Sequence, residues 1–187
     1  MIETYCDYIR RYMAGGEQDA SPIPGEHHFV AAYLVPKLFR INGLVPDYIN
    51  PDGTKEIRGD VVYHRNGRHR FGIEVKLGTV RLTKREFNEW IVNTDEYTWP
   101  DLFIGIGNRG IGLIAWGGFR DAYIHAVQSK NPGWMPETIE RGYGPMKSID
   151  QLLTHFDPES TFPYIDPGAE AETSERRFTE VLRDFVE

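Results

Sequence analysis

The stretch RGDVVYHRNGRHRFGIEVKLG, Arg58 to Gly78, decides how the fold is read. Two runs rich in β-branched and aromatic residues flank Asn66–Gly67, a pair that favours tight hairpin turns. The hairpin carries two carboxylates, Asp60 and Glu74, and an ammonium, Lys76. Side chains alternate faces along a strand, so Glu74 and Lys76 share a face. Whether Asp60 joins them depends on the turn. With a two-residue loop, Arg65 faces Arg68 and Asp60 faces Ile73. With a three-residue loop, Arg65 faces His69 and Asp60 faces Glu74. The apolar pattern chooses between them, because a one-residue slip turns every side chain to the other face. The longer loop gathers Val61, Tyr63, Phe71, Ile73 and Val75 on one face. It leaves Asp60, Val62, His64, Arg70, Gly72, Glu74 and Lys76 on the other. That register, or a bulge at Gly72 with the same effect, is predicted.

Carboxylates directly opposed across two strands repel each other. A divalent cation between them removes the penalty, and oxygen ligands of this kind suit Mg²⁺. Lys76 would then lie beside the metal, placed to orient or deprotonate a water or to stabilise charge on a phosphate. Arg70 and His64 extend the same face toward a polyanion.

The charge distribution agrees. The chain has a net charge of −7, which argues mildly against nucleic-acid binding as a bulk property. Residues 55–90 nevertheless carry nine basic and five acidic side chains, whereas residues 150–187 have a net charge of −7. Local patches, not the total, steer polyanions. A hairpin merely solvated by arginines explains the same excess. The single cysteine, Cys6, excludes an internal disulfide and a multi-cysteine zinc site. No apolar run reaches the roughly 18–20 residues of a membrane span, and the N-terminus lacks the features of a secretory signal. A cytoplasmic protein without membrane attachment is expected. Its 187 residues suggest one domain, with a core over about residues 24–117 and a C-terminal extension over 118–187.

Around the hairpin the sequence predicts a helix over 2–14, a Gly/Pro-rich loop over 15–25 and a helix over 25–40. Glu26 falls in the first turn of that second helix, and Pro36 kinks it. A short strand in GLVPDYI and a turn in NPDGTKE follow. After the hairpin, Thr83 and Glu86 have the spacing of a capping box, opening a helix with Phe87, Trp90 and Ile91 on its apolar face. DLFIGIG and IGLIAWG read as buried strands, joined by NRG. A short helix is expected at Ser148–Phe156, irregular chain in DPESTFPYIDPGAEA, and a final amphipathic helix over Thr173–Val186. The fold class is α/β, a central mixed sheet flanked by helices.

These residues resemble the PD-(D/E)XK nuclease superfamily. Gly59–Asp60 opens one strand, Ile73–Lys76 (IEVK) ends the next, and the order of elements over residues 24–117 is similar to the family's restriction-endonuclease-like αβββαβ core. The wording EVK…LTKREFNEW…DLFIGIG is similar to Mrr-type and related restriction nucleases, with a resolvase-like member as the other form. The resemblance implies that Asp60, Glu74 and the Val75 backbone carbonyl ligate Mg²⁺, which Mn²⁺ would replace. It implies that Lys76 assists the attacking water, that Glu26 supports the site, and that products carry a 5′-phosphate and a 3′-hydroxyl. Arg70, His64, Arg81, Lys84 and Arg85 would contact DNA. The family's leading proline is missing, since Gly59 stands before Asp60; Pro46–Asp47 and Pro51–Asp52 keep the dipeptide but lie earlier in the chain.

The expected function is therefore Mg²⁺-dependent endonucleolytic hydrolysis of DNA, by a homodimer if both strands of a duplex are cut. A catalytically silent nucleic-acid-binding or protein-interaction module on the same fold is the alternative, as is an RNA or small-molecule phosphodiesterase. Weaker signals have plainer readings. His27–His28 reads as solvent-facing and GIGNRGIG as a tight strand connection, not a phosphate loop. Trp99, Trp116 and Trp134, with the loop Asn131–Tyr143, are candidates to stack on bases; core packing is the plainer reading for Trp116, and Trp134 is expected to be the exposed one.

Overall fold

The computed structural model describes residues 29–43, 45–46, 48–49, 58–65, 69–95, 98–163 and 169–187. The expected helix over 2–14, Glu26, His27–His28, Asp47, Asp52, the NPDGTKE turn and the Asn66–Gly67 turn lie outside these residues.

The chain forms an α/β fold around a mixed six-stranded sheet. Its strands are β1 (Tyr48–Ile49), β2 (Val61–Arg65), β3 (His69–Leu77), β5 (Leu102–Ile106), β6 (Gly110–Ala115) and β8 (Thr161–Pro163), in the order β1-β2-β3-β5-β6-β8. β3 and β5 are parallel and every other neighbouring pair is antiparallel. The small strands β4 (Thr79–Val80) and β7 (Lys147–Ser148) pair separately.

In the hairpin, Arg65 pairs with His69, Tyr63 with Phe71 and Val61 with Ile73. This is the three-residue register that the apolar pattern selects, and the ladder runs regularly through Gly72 without a bulge. Val61, Tyr63, Phe71, Ile73 and Val75 are all buried in one core, together with Leu102, Ile104 and Ile106 of β5. Helix α1 (Val35–Asn42) and helix α5 (Ala169–Val186) cover that core. α1 follows a π-helical turn, Val30–Leu34, and Pro36 falls in its first turn, where a missing N–H is tolerated. α5 contributes Phe178, Leu182 and Val186, spaced four apart and therefore on one stripe.

A second core lies on the other side of the sheet. It is built by Phe103 of β5, helix α2 (Lys84–Phe87) with its π-helical continuation Asn88–Val92, helix α3 (Trp116–Gln128) and helix α4 (Ile149–Leu153). Phe103 stacks on Phe119 at 3.9 Å between ring centroids, with Trp116 edge-on at 6.0 Å. Residues 107–109 connect β5 to β6, and the Asp150 carboxylate accepts from the N–H groups of Asn108 and Arg109. Two expectations need correction. Thr161–Pro163 is a strand against β6 and not irregular chain, because β6 offers it a paired edge that sequence periodicity cannot reveal. Trp134 is half-buried against Phe87, at 6.4 Å between centroids, and is not the exposed aromatic of its loop. No described helix is long and apolar enough to cross a membrane.

Candidate functional site

The site forms where β2 begins and β3 continues. β2 begins at Val61, and Val61–Ile73 is the last pair of the β2–β3 ladder among the described residues. The segment before β2 lies against β3. Arg58 crosses over Gly72, where any Cβ would collide with the Arg58 backbone carbonyl. Gly59 then turns the chain with φ 119, and a Cβ there would fall 2.6 Å from the Ile73 carbonyl oxygen. That conformation is open to glycine and closed to proline, whose ring holds φ near −65°. A glycine in front of Asp60 is thus required by this backbone.

The turn delivers Asp60. Its N–H donates to the Ile73 carbonyl at 2.8 Å, and its Oδ2 accepts from the Val75 N–H at 2.9 Å. Asp60 therefore wraps around the end of the ladder instead of sitting in it squarely opposite Glu74. A strand residue's N–H and C=O point to the same side. The Val75 carbonyl oxygen accordingly faces the edge that Asp60 occupies.

Glu74 and Lys76 project from β3 on the face of the second core, beside Phe103 and Gly105 of the parallel neighbour. Asp60 and Glu74 have no exposed surface and Lys76 is 5% exposed. Burying such charges is costly unless they are paired. The Lys76 ammonium ion-pairs with Glu74 Oε1 and lies 3.7 Å from Glu86 Oε1.

Glu86 also belongs to the candidate site, which its place in a capping box did not signal. Its capping box is present as expected. Glu86 Oε2 accepts from the Thr83 N–H at 2.6 Å, and the Glu86 N–H donates to Thr83 Oγ1 at 3.4 Å. The other carboxylate oxygen is turned to Lys76, so one side chain caps α2 and positions the ammonium. The Thr-x-x-Glu spacing identified the residue; nothing in the sequence pattern linked it to Lys76.

The remaining expected contacts spread outward. His64 is exposed and pairs in register with Arg70, four residues from Glu74 on the same strand. Arg81, Lys84 and Arg85 are exposed on the approach to α2 and on its first turn, and Arg85 pairs with Glu89 at 3.2 Å. Arg81 lies over the ring of Tyr143, 3.9 Å from its centroid. The loop carrying Tyr143 is pinned against α2, and together they line an open cleft of about 620 Å³.

By donor type, Asp60, Glu74 and the Val75 carbonyl fit a hard divalent cation such as Mg²⁺, since all are oxygens. Among the described residues no group of three or more His, Cys, Asp or Glu is placed to hold a metal, and Glu26 lies outside them. The chain matches no protein-family model, no curated protein and no solved structure.

Proposed function

We propose that this chain is a metal-dependent nuclease of the PD-(D/E)XK type that hydrolyses DNA phosphodiester bonds. The observation that carries the reading is that Asp60, Glu74 and Lys76 are all buried, with Glu74 and Lys76 paired on β3 and Asp60 bonded to the N–H of Val75 between them. A sheet needs none of these charges there, and each costs free energy to bury. The order α1, β1, the β2–β3 hairpin, α2, then β5 parallel to β3 supports an αβββαβ core.

Asp60, Glu74 and the Val75 carbonyl would hold Mg²⁺, which when bound lowers the pKa of water and neutralises phosphate charge. Asp60 is fixed for this by the Val75 N–H, and Glu74 by Lys76. Lys76 is held between two carboxylates, so its ammonium has a defined direction rather than the freedom of a surface lysine. From that position it orients the attacking water and stabilises charge gathering on the phosphate oxygens. Water adds to phosphorus as the bond to the 3′-oxygen breaks, leaving a 5′-phosphate and a 3′-hydroxyl. The cations Arg81 and Lys84 give the approach to α2 a positive lip for the strand.

The test is Mg²⁺- or Mn²⁺-dependent cleavage of plasmid, linear, single-stranded and branched DNA by the wild type and by Glu74→Ala and Lys76→Ala. Cleavage by the wild type alone is expected. Identical behaviour of all three on every substrate defeats the proposal, and binding without cleavage would mark the chain as a silent module.

A further inference from the structure

The loop after α3 is rich in Gly and Pro, yet it is fastened at many points. The Asn88 side chain clamps the backbone of Ile139 twice, its Nδ2 donating to the carbonyl and its Oδ1 accepting from the N–H, both at 2.9 Å. The Lys84 N–H donates to Gly142 O at 3.1 Å and the Gly144 N–H to Leu82 O at 2.9 Å. Thr83 and Tyr143 form a β-bridge between those bonds. Gly144 lies so close to the Phe87 ring that a Cβ would collide with it. The buried Tyr123 hydroxyl donates to the Pro145 carbonyl from below.

All this fastening holds one exposed aromatic. Tyr143 is 50% exposed. The Arg81 guanidinium lies over the ring, 3.9 Å from its centroid. Among the described residues neither Arg81 nor Lys84 makes an ion pair, so both cations beside the ring are open to an anion. A chain of contacts also links the Tyr143 backbone to the candidate active site. Tyr143 bridges Thr83, Thr83 is capped by Glu86, and Glu86 faces Lys76.

We propose that Arg81 and Tyr143 form a stacking platform for an unpaired base next to the phosphate undergoing hydrolysis. This rests on the nuclease reading and deepens it, because it names the substrate's form: a duplex with a single-stranded tail or flap. A rigid aromatic ring with a flat cation against it matches a nucleobase, which stacks with little regard to sequence. Lys84 takes the adjoining phosphate. A paired base inside a duplex offers its edge and not its face, so the platform selects ends and branches over continuous duplex.

The test is binding in EDTA, which separates it from chemistry. Fluorescence anisotropy compares a blunt duplex with the same duplex carrying a short single-stranded tail, and 2-aminopurine in the tail reports stacking. The wild type is expected to prefer the tailed duplex and to quench 2-aminopurine. Tyr143→Ala is expected to lose roughly 5- to 100-fold in affinity for the tailed form, the range for one stacked base. Tyr143→Phe should retain both preference and quenching, and Arg81→Gln should weaken both with the loop still anchored. Equal affinity of wild type for the two duplexes, or unchanged quenching in Tyr143→Ala, overturns the platform. If wild type still cleaves DNA with Mg²⁺ in that case, the nuclease reading stands without it. If it neither binds nor cleaves any DNA, both readings fall.

Discussion

The carboxylate of Asp60 accepts a hydrogen bond from the backbone N–H of Val75, 2.9 Å away, just past the Val61–Ile73 pair of the hairpin ladder. One side chain thus bonds the β3 backbone and offers a second oxygen to the site. The two roles separate by substitution. Asp60→Asn keeps an acceptor for the Val75 N–H and should lose little stability, but DNA cleavage should vanish with the charge. Asp60→Ala leaves a buried N–H without its acceptor and should cost an additional 1–3 kcal/mol or so. Urea denaturation beside a plasmid-nicking assay distinguishes them. Equal stability of the Asn and Ala proteins would show that the bond to Val75 does not support the fold.

Gly59 should tolerate no replacement. With φ 119 and the Ile73 carbonyl 2.6 Å from any Cβ, Gly59→Ala should cost on the order of 1–3 kcal/mol in strain, and relief of the clash should displace Asp60. Gly59→Pro should be worse, since proline cannot reach that φ. Thermal melts should show both variants below wild type. A Gly59→Pro protein of wild-type stability and activity would contradict the backbone described here.

Glu86 and Thr83 share one capping box but should give different phenotypes. Thr83→Ala should cost about 1 kcal/mol of stability, the usual value of an N-cap. Glu86→Gln keeps an oxygen for the Thr83 N–H while removing the charge beside Lys76. It should fold normally and lower kcat roughly tenfold or more, with KM little changed, because charge-assisted contacts are the strong ones. A Glu86→Gln enzyme with wild-type kcat would restrict Glu86 to its cap.

Tyr123 provides a pH test. Burial pushes its phenol well above the ordinary value, while its hydroxyl holds the Pro145 carbonyl. Unfolded tyrosine ionises near pH 10. Above that pH the unfolded chain loses the proton and the folded one keeps it, so stability falls as pH rises. Tyr123→Phe lacks this loss. It should be about 1 kcal/mol less stable than wild type at pH 8, and the difference should shrink between about pH 10 and 11. Urea midpoints across that range measure it, and a constant gap would mean that Tyr123 ionises normally in the fold.

The sequence revealed the hairpin register because its two faces differ so sharply: five core residues against five that carry charge or a polar ring. The capping box at Thr83 was legible for a similar reason, since it depends only on local spacing. What stayed hidden depends on how elements pack. Glu86 reaches Lys76 only because α2 lies over β3, and neither residue's neighbours in sequence encode that crossing. That the loop of Tyr143 is tied by backbone bonds to residues 82–84, some sixty positions earlier, has no counterpart in local sequence. Thr161–Pro163 is too short, and too dependent on β6, to announce itself as a strand.

Tyr33 beside the first core hydrogen-bonds Glu175 of α5, 142 positions later in the chain, and Lys37 pairs with the same carboxylate. At a synthesis rate of about 5–20 residues per second, roughly 7–30 s pass between the emergence of the two partners. Throughout that interval Tyr33, Leu34 and Leu38 wait for the helix that will roof them. The sheet that carries Asp60 and Glu74 can therefore be finished only after translation has passed α5. A nascent chain stalled before Phe178 should be a client for chaperones, because it exposes an oily flank.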